Sequence, residues 1–157
     1  MTYEIMLLRL RPGLTLLGTL DARNAELGPD AELPELHPTP AQWAEWERIV
    51  TRVSREISPV GTAQYPRCLT LDTIGLPWRV QLDYYGDSAD VEVAYTHTGI
   101  AARAVAEAAY LVARVVEEET GMVGHDFEVD QPTMTGDPAV AATRLGAVNA
   151  WIRGRCG

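Results

Sequence analysis

Alternating apolar and polar positions predict most of a β-sheet. RCLTLDT (67–73) alternates, and WRVQLDYY (78–85) and DVEVAYT (90–96) do so strictly on either side of a short turn. Side chains two positions apart lie on the same face of a strand, so each segment has one apolar face and one polar face. The pattern predicts three consecutive antiparallel strands with one solvent-facing side.

A continuous apolar run predicts a further strand near the beginning of the chain. YEIMLLRL (3–10) is typical of a strand that is covered on both faces or is central in a sheet. The run lacks the basic start of a secretory signal, and Glu4 and Arg9 interrupt it. Its place in the sheet stays open at this point.

Apolar spacings of three and four residues predict helices. Thr39 and Gln42 form a capping box, and Pro40 suits the first helical position. The apolar stripe that follows consists of Trp43, Trp46, Val50, Val53 and Ile57. A second helix is predicted from about Thr98 to Thr120, where Gly121 ends it.

The element order β-α-β-β-β-α predicts one α+β domain over residues 1–157. The expected architecture is a two-layer sandwich, with an antiparallel sheet of about four strands and the helices on one face. Prolines and glycines predict a loop at 18–38, and an acidic connector is expected at 122–136. A terminal helix is predicted at 137–153 because Asp137 and the following proline are typical of a helix start.

Composition and charge narrow the classes of partner. Apolar residues make up 46% of the chain, and the formal net charge is -9. This charge argues against binding to nucleic acid or to an anionic membrane, and it favours a basic protein partner. No apolar stretch is long enough to span a membrane. All 13 basic residues are arginine and alanine is abundant, which indicates a GC-rich genome such as those of actinobacteria.

The two cysteines predict no disulfide framework and no four-ligand zinc site. Cys68 and Cys156 lie far apart in the sequence, and two unrelated reduced thiols are typical of a cytoplasmic protein. Cys156 is expected to be exposed, where oxidation could link two copies. No metal and no cofactor is predicted.

The histidines carry the only enzymatic hypothesis. His97 lies at a junction between strand and helix, and His125 precedes Asp126, which could orient its imidazole for acid-base catalysis. The simpler interpretation gives both histidines local structural roles, and no catalytic residue is predicted. The alternative is a small enzyme or ligand-binding domain with a pocket between the 18–38 loop and the sheet. Its expected residues are His97 or His125 with Tyr84, Tyr95 or Asp126.

The polar face of the three strands is the strongest candidate for a binding surface. It should hold Thr70, Asp72, Arg79, Gln81, Asp83, Asp90 and Glu92. An ordinary solvated sheet face would look the same, but a docking surface for a basic partner would also be acidic. The acidic run at 117–130 could extend this surface. The predicted contact residues are Asp72, Asp83, Asp90, Glu92, Glu118 and Asp126.

DVEVAYTHTGIAARAVAEAAYLVARVVEEETGMVGHD resembles a broad group of small bacterial proteins, many of them actinobacterial. In that group an acidic strand ends in an aromatic residue and a histidine, and an alanine-rich helix, a Thr-Gly turn and Tyr-Asp-Pro-Gln follow. Here His125 stands in the tyrosine position, Asp126 matches, and Phe127 and Glu128 replace Pro-Gln. Some proteins similar to this group look like immunity proteins of polymorphic toxin systems.

The resemblance implies that Asp126 is a structural turn residue. It also implies a cytoplasmic, non-enzymatic domain that binds a basic toxin domain through its acidic surface. A homodimerising structural module, paired through the terminal helix, is a further alternative, so a monomer or a homodimer is expected.

Overall fold

The computed structural model describes residues 2–155, which form a seven-stranded antiparallel sheet and four helices. The strands are β1 Thr2–Leu8, β2 Val60–Gln64, β3 Leu69–Thr73, β4 Val80–Tyr84, β5 Ser88–Ala94, β6 Val123–Asp126 and β7 Gln131–Pro132. The helices are α1 Leu16–Leu27, α2 Pro40–Glu56, α3 Gly99–Thr120 and α4 Pro138–Arg155. The predicted α+β class and the antiparallel sheet are confirmed.

The sheet has seven strands in the order β2-β3-β4-β5-β1-β6-β7, so the prediction of about four strands was wrong. β1 is central, because it pairs with β5 on one side and with β6 on the other. β2 was missed because VGTAQ lacks a clear alternation of apolar and polar positions. β6 and β7 lie inside the predicted acidic connector, at 122–136, which is therefore partly a hairpin.

The predicted helix boundaries of α2 and α3 agree closely with the structure. The Gln42 amide donates to Thr39 Oγ1 over 3.1 Å, and the Thr39 amide donates to Gln42 Oε1 over 2.9 Å. This reciprocal pair satisfies two amides that the first helical turn leaves without partners. Gly121 has a left-handed backbone, φ 74°, which a side chain disfavours and which ends α3.

The loop predicted at 18–38 was wrong in its first half, which belongs to α1. Thr15 caps this helix by accepting from the Gly18 amide, and Gly28 ends it with φ 73°. LLGTLDARNAEL has no continuous apolar stripe, so periodicity gave no signal for a helix. The prolines on which the loop prediction relied all lie beyond Gly28, where the chain is indeed a loop up to α2.

Helices α2 and α3 pack over one side of the sheet, which we call the inner face. α3 contacts β1, β4, β5 and β6, and α4 packs against α3. Ile5, Leu82 and Val91 on this face are almost completely buried. α1 departs from the predicted one-sided arrangement, because Arg23 of this helix lines a hollow with Leu8 and Tyr85 on the opposite, outer face.

Within residues 2–155 the structure contains no helix that combines the length and the hydropathy needed to cross a membrane.

Candidate functional site

The strand register brings four carboxylates together on the outer face. Glu4 of β1 lies directly opposite Glu92 of β5, and Asp90 of β5 lies opposite Asp83 of β4. We call Glu4, Asp83, Asp90 and Glu92 the acidic face. Three of these residues were predicted to share the polar side of the sheet. Glu4 was missed because the sequence left the position of β1 open, although it alternates with the buried Ile5.

The acidic face forms no ion pair within residues 2–155, although Arg144 lines a hollow beside Glu4 and Asp90. None of its four carboxylates forms an ion pair within 4 Å with a histidine or arginine of the described chain, residues 2–155. Asp83 is buried and accepts hydrogen bonds from Thr70 Oγ1 at 2.8 Å and Gln81 Nε2 at 3.0 Å. These neutral donors hold the carboxylate in place but do not neutralise its charge.

The surroundings of this face disfavour ionisation. Burial, a hydrogen bond with Glu4 and the negative charge of Asp83 raise the pKa of Glu92 to about 7. Burial and the negative charges of Glu4 and Asp83 raise the pKa of Asp90 to about 6, although the positive charge of Arg23 opposes this shift. Adjacent carboxylates therefore repel one another, and a cation placed among them would favour their charged forms.

Two other predicted contact residues are already neutralised within the chain. Asp72 shares the outer face but accepts from Arg79 Nε over 2.6 Å. Glu118 accepts from Arg52 NH1 over 2.7 Å and belongs to the ion pairs that join α2 to the end of α3. The acidic run that begins at residue 117 therefore does not form one free surface, which corrects the predicted extension of the site.

Asp126 is fully buried and cannot contact a partner, which corrects its predicted role in binding. Its Oδ2 accepts from the hydroxyl of Tyr3 at 2.6 Å and from the hydroxyl of Tyr110 at 2.5 Å. Its Oδ1 accepts from the Glu128 amide at 3.1 Å. Asp126 thus ties β6 to β1, to α3 and to the turn that follows, a structural role of the kind that the resemblance implies.

Glu117 is a second buried carboxylate under the β6–β7 hairpin. It accepts from the Gly124 amide at 2.8 Å and from the hydroxyl of Thr133. A Cβ at Gly124 would overlap Oε1 of Glu117 and Oγ1 of Thr133. The close contact between the strand and these two side chains therefore requires glycine. Burial raises the pKa of Glu117. We call Glu117 and Asp126 the hairpin anchor.

The proposed catalytic pair of His125 and Asp126 does not form. Successive side chains of a strand point to opposite faces, so Asp126 enters the inner face and His125 the outer one. His125 Nε2 instead lies 2.9 Å from Oδ1 of Asp130, and its ring lies 4.6 Å from that of Phe127. These contacts stabilise the turn between β6 and β7.

The hollow expected by the enzymatic hypothesis is not lined by the residues predicted for it. Asn149 donates to the carbonyl of His97 over 3.4 Å, which ties this backbone to α4. A hollow does lie between α1, the loop after it and the sheet, but Arg9, Arg11, Arg23 and Tyr85 are among its lining residues. None of the histidines or the tyrosines named for the pocket lines it.

The remaining candidates for site chemistry are metal ligands and thiols. Residues 2–155 contain no cluster of three or more histidine, cysteine or carboxylate side chains suited to a metal ion. Cys68 is half-buried with Sγ 3.6 Å from Thr70 Oγ1, and burial raises the pKa of its thiol. Cys156 lies outside the described residues.

No family model, curated protein or solved structure matches this chain.

Proposed function

We propose that this chain is a cytoplasmic, non-enzymatic domain that binds a basic protein through its acidic face, as an immunity protein would bind a basic toxin domain. The observation that carries the proposal is the set of Glu4, Asp90 and Glu92 on adjacent strands, none of which forms an ion pair within residues 2–155. Like charges directly opposite each other destabilise a sheet, and a cation from a partner would relieve this repulsion. Since the net charge is -9, long-range attraction would also speed the encounter.

The geometry suits side-chain recognition by a protein. The strands present their carboxylates from a rigid sheet, so the arrangement does not need to form on binding. Arginine is the favoured partner, because its planar guanidinium can donate two parallel hydrogen bonds to one carboxylate. The proposal therefore predicts an arginine-rich contact surface on the partner.

The test compares two variants that change the formal net charge equally. One combines Glu4→Gln, Asp90→Asn and Glu92→Gln on the acidic face. The matched control combines Asp30→Asn, Glu35→Gln and Glu47→Gln at exposed positions elsewhere. Each tagged protein is co-expressed with the product of the adjacent gene and run on a sizing column at low and high salt. Recovered complexes are then measured for association rate.

The proposal expects the native chain and the control to co-elute with the partner at low salt and to release it as salt screens the charges. The acidic-face variant should associate at least about tenfold more slowly at low salt. A complex that forms equally fast with both triple variants contradicts the proposed surface. Separate elution at both salt concentrations contradicts the toxin-immunity form of the proposal.

A further inference from the structure

The two edges of the sheet differ in how they are protected. At one edge, β7 has only two residues, and Pro132 is one of them. The side chain of Gln131 is also engaged, since its Nε2 donates to the hydroxyl of Tyr110 and to the carbonyl of Asp137. Short edge strands and prolines are common ways of preventing pairing with another chain. This edge is closed to further strands.

The opposite edge, β2, has none of these protections. Val60–Gln64 pairs with β3 through five consecutive residues, with no bulge in the register. The strand contains no charged residue and no proline, and Thr62, Ala63 and Gln64 are exposed. An edge strand of this kind is a template for another strand.

The hydrogen-bond pattern shows which backbone groups face outward. The Tyr65 amide donates to Cys68, and the Ile74 amide donates to Pro59, each over 2.9 Å. Hydrogen-bonded and non-hydrogen-bonded pairs alternate along an antiparallel ladder, so the backbone groups of Gly61 and Ala63 form hydrogen bonds with β3. The amides and carbonyls of Val60, Thr62 and Gln64 therefore point away from the sheet.

The outer face beside this edge is suited to long side chains of an added strand. Gly61 and Ala63 have small side chains or none, so the outer face forms a depression here between the exposed side chains of Ile74 and Tyr65. A neighbouring strand would lie about 4.8 Å away, so an arginine on it could reach across these small residues toward β3. There Arg79 donates to Oδ1 of Asp72 and to Oε1 of Gln81. Asp72 therefore already has one cation, but its Oδ2 has no hydrogen-bond partner among residues 2–155 and can accept from a second arginine.

We infer that β2 receives an extended segment of the basic partner as an additional antiparallel strand, with arginines at alternate positions on the outer face. This inference rests on the proposed function and adds the way in which the partner docks. Backbone hydrogen bonds to Val60, Thr62 and Gln64 supply affinity, and the alternate side chains supply specificity. A second copy of this chain is a poorer occupant, because each copy carries a net charge of -9.

The test uses a short synthetic peptide that alternates valine and arginine and has blocked ends. In the inferred register the valine amides donate to β2, so the control peptide is methylated at every valine backbone nitrogen. On the protein, Thr62→Pro removes an outward amide, which an edge strand tolerates. Thr62→Ala keeps the amide and serves as its control. Affinity is measured by titration, and hydrogen exchange is followed by NMR.

Binding of the parent peptide is expected to slow exchange at the amides of Val60, Thr62 and Gln64 by at least about tenfold. Methylation of the peptide, or Thr62→Pro, should weaken binding by at least about tenfold, whereas Thr62→Ala should not. No binding of the parent peptide, or equal binding of the methylated one, would overturn the inference. A dimer of this chain that Thr62→Pro abolishes would also overturn the inferred occupant.

The two proposals fail in different ways. If the acidic-face triple variant weakens both peptides equally while methylation has no effect, the edge inference fails and charge recognition stands. If methylation weakens binding but the triple variant does not, strand pairing stands and the acidic face is not the recognition surface.

Discussion

Glu92 and Asp126 lie on the two strands that flank β1, and their carboxylates have opposite surroundings. Asp126 is enclosed on the inner face by the hydroxyls of Tyr3 and Tyr110 and by a backbone amide. Glu92 faces Glu4 across the outer face, and its pKa is raised to about 7. Hydrogen-bond donors of the fold satisfy the carboxylate of Asp126. The carboxylate of Glu92 has no ion pair within residues 2–155, and a partner could supply the counter-charge. The same functional group thus serves structure at one site and fits recognition at the other.

The largest effect on stability is expected at the hairpin anchor. Asp126→Ala leaves the buried hydroxyls of Tyr3 and Tyr110 without their acceptor, so we expect a loss of about 3 kcal/mol in the free energy of unfolding. Asp126→Asn keeps part of the acceptor and should lose less. Urea denaturation followed by circular dichroism measures both, with Asp30→Ala as an exposed control expected within about 0.5 kcal/mol of the native chain. Equal stability of Asp126→Ala and the control would contradict the structural role.

At Glu117, the hydrogen bonds that the carboxylate accepts should matter more for stability than its charge. Glu117→Ala should lose about 2 kcal/mol, since the Gly124 amide and the Thr133 hydroxyl lose their partner. Glu117→Gln keeps an acceptor oxygen and removes a buried charge, so it should stay within about 1 kcal/mol of the native chain. The same denaturation experiment compares the two variants. A larger loss for glutamine than for alanine would show that the charge itself is required.

The acidic face should give the smaller effect, through pH. The pKa of Glu92 is raised from 4.5 to about 7, so the folded state binds more protons than the unfolded state between these values. The resulting stabilisation is complete below about pH 4.5 and is lost as the pH rises through about 7. Because Glu92 is partly exposed, we expect this contribution to be only about 1 kcal/mol.

Glu92→Gln should remove this part of the pH dependence. Its free energy of unfolding, measured by denaturation between pH 5 and 8, should fall less with rising pH than that of the native chain. Glu47→Gln, on the exposed side of α2, serves as the control and should leave the slope unchanged. Parallel curves for the native chain and Glu92→Gln would show that the acidic face does not perturb this carboxyl group.

Local sequence signals determined the elements that carry strong periodicity or caps. The capping box at Thr39, the glycine stop at Gly121 and the alternation of β4 and β5 each depend on neighbouring residues, which the sequence displays directly. The shared outer face of Asp83, Asp90 and Glu92 followed from the same alternation. α1 and β2 were missed because neither has a distinct apolar period.

Contacts between residues that are distant in the sequence became visible in the folded chain alone. The pairing of β1 with β5 adds Glu4 to the acidic face, and the pairing of β1 with β6 brings Asp126 to Tyr3. The same packing neutralises Glu118 with Arg52, although the sequence shows only a run of acids. Composition and alternation thus determined that this protein has an acidic sheet face. Long-range pairing decided which of its carboxylates are buried, neutralised or left without a cation, because charge compensation depends on distances that the order of residues does not contain.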